Sequence, residues 1–199
     1  MDRRQSKKKH QREKNNSNRS WTTYQKTYPF YGNKKIQEKI KNAQRMPMKS
    51  SDILVCLKKQ KNFLGVFASD QIRHLKLVNF PCFIIVNLDT SRHLGRHWVS
   101  LRFGKDSVEL FDSLGGSPKM WTFYPSQFLN FLRNYAYSHT FISSPVIQPP
   151  LSVTCGLYCI FFVIFRQKLN FFALVRMFSS NFRQNDLKLF RIMKNKFRY

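Results

Sequence analysis

Apolar residues are unevenly spread along the chain, and their spacing divides it into elements. From Leu157 to Phe165 no position is polar on any face, so a helix there is buried all round and forms the centre of a domain. Pro149-Pro150 blocks helix ahead of it, and Thr154-Cys155-Gly156 opens it. Phe83 to Val86 has the continuous apolar character of a strand buried on both faces. His97 to Phe103 is rich in strand formers and partly alternating, and a turn at Gly104-Lys105-Asp106 leads into a second strand, Ser107 to Phe111.

Helical spacing recurs elsewhere. Ser50-Ser51-Asp52 offers an N-cap for a helix to about Lys59, with Ile53, Leu54 and Leu57 toward the core. Pro125 to about Tyr137 sets Phe128, Leu129, Phe131 and Leu132 on a helix with proline near its first turn. Residues 62–67 read as a turn and short extended chain, and Pro145 to Gln148 as a short strand. Two basic amphipathic helices, about Phe171–Phe178 and Asp186–Phe197, finish the chain, and no internal repeat is visible. Helices and strands mixed in this way predict an α+β fold, a mixed β-sheet packed by helices.

Composition adds a tail and a partner. The 199 residues suit one domain, residues 46–199, preceded by a basic arm and linker, residues 1–45. Residues 1–20 carry Arg3-Arg4 and Lys7-Lys8-Lys9 and lack the apolar surface needed to order themselves; such clusters serve nuclear import or tethering to nucleic acid. Residues 21–45 begin aromatic and become polar and basic, and either pack on the domain or link to it. The net charge is +25, with 14 Lys and Arg against 3 acids in residues 1–45 and 21 against 7 beyond. A domain so biased repels itself unless a polyanion is near, which makes DNA or RNA the expected partner, held by arm and domain surface.

Cys56, Cys82, Cys155 and Cys159 form no Cys-x-x-Cys pair and have no His-x-x-x-His companion, which argues against a zinc site. The charged N-terminus lacks the apolar segment of a secretory signal, and the longest apolar run is too short to span a bilayer. A reducing compartment, cytosol or nucleus, and no membrane partner are expected.

Cys155 falls in the first turn of the central helix, where unpaired backbone N–H groups and the positive end of the dipole favour thiolate. Two inert core cysteines in a buried helix are the other reading of the same stretch. A nucleophile needs a base, and of five histidines His10 lies in the arm, while His74, His93 and His139 stand in polar surroundings. His97 leads the first hairpin strand and Asp112 follows the second. A turn near residues 104–106 pairs residues whose numbers sum to about 209–211, so both emerge at the same open end. A carboxylate there can hold the second imidazole nitrogen and orient the ring for proton abstraction.

His97-Trp98, Phe111-Asp112-Ser113-Leu114-Gly115, Gln148 and Cys155-Gly156-Leu157-Tyr158-Cys159 occur in the order and near the spacing of the adenovirus-type cysteine proteases and their relatives, the ubiquitin-like-protein proteases. Asn62 to Phe67 and Cys82 to Asn87 also resemble the adenoviral enzyme, so the resemblance covers about residues 50–165. It implies Cys155 as nucleophile, His97 as general base, Asp112 as its orienting acid and Gln148 as oxyanion-hole donor. It implies a papain-like active-site layout in permuted order, base before nucleophile. Adenoviral enzymes commonly carry Glu where Asp112 stands, and the ubiquitin-like branch commonly carries Asp where Thr154 stands. The region of Tyr137 lacks the cysteine through which adenoviral enzymes bind an activating peptide.

Three functions are compatible with these features. One is a maturation endopeptidase that cleaves viral capsid or core precursors on packaged nucleic acid, in the host nucleus and virion. The second is a ubiquitin-like-protein (SUMO-type) deconjugating protease, and the third a non-enzymatic basic packaging protein. The first accounts for both motif and charge. It is expected to act as a monomer, to need no cofactor for chemistry, and to be activated by DNA or another polyanion.

Overall fold

The computed structural model describes residues 34–93, 95–117, 122–136 and 139–197. The predicted basic arm at residues 1–20 and the first part of the 21–45 segment lie outside them, as do Leu94, Pro118 and Tyr137. Among the described residues, six α-helices and five strands follow in the order α1 (Lys34–Asn42), α2 (Ser50–Leu57), β1 (Phe63–Ala68), β2 (Cys82–Asn87), β3 (Trp98–Phe103), β4 (Ser107–Phe111), α3 (Ser126–Ala136), β5 (Thr140–Ser143), α4 (Cys155–Phe165), α5 (Phe171–Val175) and α6 (Asn185–Lys196). This is the expected α+β fold.

The strands form one mixed sheet in sequence order, β1-β2-β3-β4-β5. The central pairs β2/β3 and β3/β4 are antiparallel, and the outer pairs β1/β2 and β4/β5 are parallel. In the β3/β4 hairpin Ser100 faces Phe111 and Leu101 faces Leu110, within the register the turn predicts. Strand alternation then sends side chains into two cores. Phe83, Ile85, Trp98 and Phe111 join the core under α4, while Ile84, Val86, Val99, Leu101, Val108 and Leu110 join a second core under α3. That two-sided burial is why β2 reads as an unbroken apolar run.

Every residue of α4 is buried, and the helix is held to the sheet at several points. Phe162 stacks on Phe111 with ring centroids 4.6 Å apart. The Ser100 hydroxyl donates to the Cys159 carbonyl at 3.4 Å. At the C-terminal end the Arg166 guanidinium donates twice to buried Glu109, at 2.6 and 2.7 Å, and Arg102 adds a third bond at 3.0 Å. Two arginines on one carboxylate satisfy a charge that would be costly alone in the interior.

Three local expectations change. α2 begins after Lys49, whose N–H donates to the Asp52 carboxylate (3.2 Å), so Asp52 closes the first turn from inside the helix instead of preceding it. Its buried face is Ile53, Cys56 and Leu57; Leu54 points to solvent, because the stripe facing α4 is narrower than the run of apolar residues. The strand expected at Pro145–Gln148 lies earlier, at Thr140–Ser143, because Pro145 has no N–H to give a ladder. Residues 34–42, in the segment expected either to pack on the domain or to link to it, form α1, which buries Ile36 and Ile40; Gln37 donates to the Phe197 carbonyl at 2.8 Å.

Candidate active site

His97, Asp112 and Cys155 are carried by three different stretches that meet where the hairpin opens beneath the head of α4, and Gln148 by a fourth that bonds to Ser113, next to Asp112. Trp98 is buried on the α4 side of the sheet, and its indole N–H donates to the Met48 carbonyl at 2.9 Å. Gly156 lies directly above it: a Cβ on Gly156 would come within 3.0 Å of Met48 Cβ and 3.3 Å of Trp98 Cδ1. The missing side chain therefore lets the helix head settle onto Trp98. The residues one step before each, His97 and Cys155, are thereby brought together across the gap.

His97 Nε2 stands 2.8 Å from Asp112 Oδ1, and the Cys155 side chain is near enough to His97 to act on its charge. With Nε2 committed to the carboxylate, Nδ1 is the nitrogen left for sulfur. Burial of the imidazole opposes its charging, but the Asp112 carboxylate and the Cys155 side chain outweigh it and push the His97 pKa up to about 10. An imidazolium is thus favoured between the Asp112 carboxylate and the sulfur of Cys155.

Asp112 is buried and held on all sides. Its Oδ1 also accepts the Leu114 N–H at 2.8 Å, and its Oδ2 accepts the Tyr124 hydroxyl at 2.7 Å. Its main chain is fixed by Ser144, whose hydroxyl accepts the Asp112 N–H (2.8 Å) and donates to the Asp112 carbonyl (2.6 Å).

Gln148 reaches the same place by a different route. Instead of a strand, residues 144–148 run beside residues 112–116, and both the Ile147 and Gln148 N–H groups donate to the Ser113 carbonyl, at 2.9 and 2.8 Å. The Gln148 side chain is buried. Its Oε1 accepts the Ser113 hydroxyl (2.5 Å) and its Nε2 donates to the Ser152 carbonyl (2.7 Å). A carbonyl only accepts, so this bond fixes which end of the amide faces Ser152 and leaves one amide N–H over.

The loop that delivers His97 is closed on itself. Leu88 N–H donates to the His97 carbonyl (3.0 Å), Asn87 Oδ1 accepts the Asp89 N–H (2.9 Å), and Asp89 takes the Arg96 N–H (2.8 Å) and guanidinium (3.0 Å). Beside His97 and Asp112 opens a cleft of about 1050 Å³, walled by Leu88, Leu114 and Phe123 with Arg92 and His93 at its edge. Of the other histidines, His93 bonds the Thr90 hydroxyl (2.8 Å) and His74 accepts from Arg73 (2.8 Å); both are exposed.

Tyr124, Ser144, Ser152 and Asp186 were not found by sequence reasoning. Asp186 showed only as the start of a basic helix; the others had no signal beyond being polar. Among the described residues, no group of three or more His, Cys, Asp or Glu side chains could hold a metal, and no helix is long and apolar enough to cross a membrane.

The profile of the adenovirus endoprotease family matches residues 63–180. No curated protein matches the chain in sequence. Among solved structures, the ASFV pS273R protease is similar at a TM-score of 0.40 and 22% identity, over 62% of this chain and 47% of that one. This chain therefore spans about half the length of that protein. The C-terminal Ulp1 protease domain, solved in complex with Smt3, the yeast ortholog of SUMO, is similar at a TM-score of 0.41 and 12% identity, over 81% of this chain and 83% of that one. Ulp1 with its catalytic cysteine oxidized to a sulfenic acid gives a TM-score of 0.41 and 11% identity, over 85% and 98% of the two chains.

Proposed function

Since the chain belongs to the adenovirus endoprotease family, a family of cysteine peptidases, we propose that it is a cysteine endopeptidase in which Cys155 is the nucleophile, His97 the general base and acid, Asp112 the orienting acid and Gln148 an oxyanion donor. The observation that carries this reading is the chain of contacts from Asp112 through His97 to Cys155.

In the proposed reaction His97 Nδ1 holds the proton taken from the Cys155 thiol, and Sγ attacks the scissile carbonyl carbon. The carbonyl electron pair moves to oxygen, where the spare Gln148 N–H and the Cys155 backbone N–H receive it; as one of the first N–H groups of α4, the latter has no acceptor within the helix. Collapse expels the amine, which takes the proton back from His97, and water then hydrolyses the thioester by the same steps in reverse order. Asp112 holds Nε2–H throughout and steadies the imidazolium. The order His97, Asp112, Gln148, Cys155 gives the papain-like arrangement with base ahead of nucleophile.

The substrates in this reading are basic capsid or core precursor proteins of a virus or virus-like element, cleaved by a monomer held on nucleic acid. The charge of +25, divided between residues 1–45 and the rest, supports it. A SUMO-type deconjugating activity is favoured by Asp112 standing where adenoviral enzymes commonly carry Glu, but it leaves the charge unexplained. The two separate in one assay: the basic core proteins of the same genome or element, and a SUMO C-terminal fusion, are each incubated with the protein with and without duplex DNA. Cleavage of the core proteins, faster on DNA and absent in Cys155→Ala, is expected; cleavage of the fusion alone, indifferent to DNA, overturns the substrate assignment.

A further inference from the structure

Two consecutive residues at the head of α6 grip both ends of the segment between Gln148 and Cys155. Asn185 Nδ2 donates to the Ile147 carbonyl at 2.8 Å. Asp186 takes the far end: its Oδ2 accepts the Ser152 hydroxyl at 2.6 Å, and its Oδ1 accepts the Thr154 hydroxyl at 3.0 Å and the Tyr158 hydroxyl at 3.1 Å. Three hydroxyl donors converge on one side chain, a task for an acceptor-only group. Ser152 also supplies the carbonyl to which Gln148 Nε2 donates. A line of bonds thus runs from Asp186 through Ser152 to the amide of Gln148.

We propose that Asp186 is a positioning residue that acts through Ser152 to aim the Gln148 amide at the developing oxyanion. This rests on the reading of Gln148 as oxyanion donor. Ser152 and its neighbours lie in an irregular turn after Pro149-Pro150, where no ladder or helix fixes the peptide plane. Without the Asp186 carboxylate the Ser152 hydroxyl is left with Thr154 alone, through Oγ1 (2.6 Å) and the N–H (3.2 Å), both within the same turn, so nothing outside the turn holds the Ser152 carbonyl in plane and the Gln148 amide shifts with it. Thr154 Oγ1 is drawn to the same carboxylate, so it does not cap its own helix, and the first N–H groups of α4 are left to other partners.

The test separates a reaction that develops an oxyanion at carbonyl oxygen from one that does not. With 4-nitrophenyl acetate, Sγ attacks the carbonyl carbon, its electron pair moves to oxygen, and collapse releases 4-nitrophenolate; with iodoacetamide, Sγ displaces iodide from a saturated carbon. Rates are taken in excess of those of Cys155→Ala, for Asp186→Asn, Ser152→Ala, Gln148→Ala and the double variant Gln148→Ala/Asp186→Asn, each shown folded by its thermal melt. Acylation slowed about tenfold in Asp186→Asn and Ser152→Ala, with alkylation unchanged and the double variant no slower than Gln148→Ala, is expected for a donor moved slightly out of line. Unimpaired acylation in both single variants beside a slow Gln148→Ala, an equal loss of alkylation, or independent losses in the double variant overturns the inference alone. Full acylation in Gln148→Ala overturns the oxyanion reading and this inference with it.

Discussion

The Tyr124 hydroxyl donates to Asp112 Oδ2 at 2.7 Å, on the oxygen that His97 does not use. Burial and the adjacent carboxylate hold that phenol protonated, well above the ordinary tyrosine range. With Leu114 N–H on the other oxygen, Asp112 has only one direction left in which to meet the imidazole.

Tyr124→Phe is expected to lower kcat about tenfold, since a hydrogen bond to a charged group contributes about 1.5–3 kcal/mol and part of it orients His97. KM should change little. Asp112→Asn should cost more, because it removes the charge that steadies the imidazolium. Steady-state kinetics of the two variants against one substrate decide the order, and an equal or larger loss in Tyr124→Phe would remove Asp112 from its assigned role.

Cys155→Ala should abolish hydrolysis and labelling by thiol-directed electrophiles. Cys159→Ala should retain most activity, because burial pushes the Cys159 thiol well above its usual value and its position one turn deeper keeps it from the helix end. Mass spectrometry of the labelled protein identifies which cysteine reacts; modification at Cys159 in place of Cys155 would refute the nucleophile assignment.

The His97 pKa is raised from 6.5 to about 10 on folding, so the folded state binds its proton more tightly than the unfolded one. The stability this contributes is full below about pH 6.5 and is lost as pH rises through about 10. The difference in melting temperature between the native protein and His97→Gln should shrink over that window. A difference that grows with pH would contradict the imidazolium.

Gly95 has φ +83°, and a Cβ there would run into the Asn87 side-chain amide. Gly95→Ala must therefore displace Asn87 or the loop that ends in His97. A displacement of about 1 Å at the imidazole costs on the order of 10²-fold in kcat. Iodoacetamide labelling of Cys155 should slow in parallel, since the base itself has moved; normal labelling and turnover would show that the loop relaxes elsewhere.

Binding to duplex DNA should be largely independent of sequence, and log affinity should fall linearly with log salt at about 0.9 unit per phosphate neutralised. Deleting residues 1–20, with 8 basic and 2 acidic residues, should weaken binding but leave a clear salt slope, because most of the excess charge lies beyond them. Salt-insensitive binding would detach the charge from nucleic acid and favour the SUMO-type reading.

The sequence by itself determined the all-apolar helix α4, the two-sided burial of β2, and the hairpin that sets His97 and Asp112 at one end. Each is encoded by a local period or by a turn whose two strands are counted outward from it, and short-range sterics suffice to write such a pattern. Tertiary structure alone decided which polar groups complete the site. Asp186 meets Ser152 across thirty-four residues, and Tyr124 meets Asp112 from beyond the hairpin. Gln148 arrives along an irregular segment that follows Ser113 where a strand was expected, because Pro145 stops the ladder and the Ser144 hydroxyl pairs with the Asp112 main chain in its place. A hydroxyl or carboxylate has the same local preference whatever it will bond, so its partner is fixed only when packing of the apolar faces brings distant stretches together and excludes the water that would otherwise satisfy it.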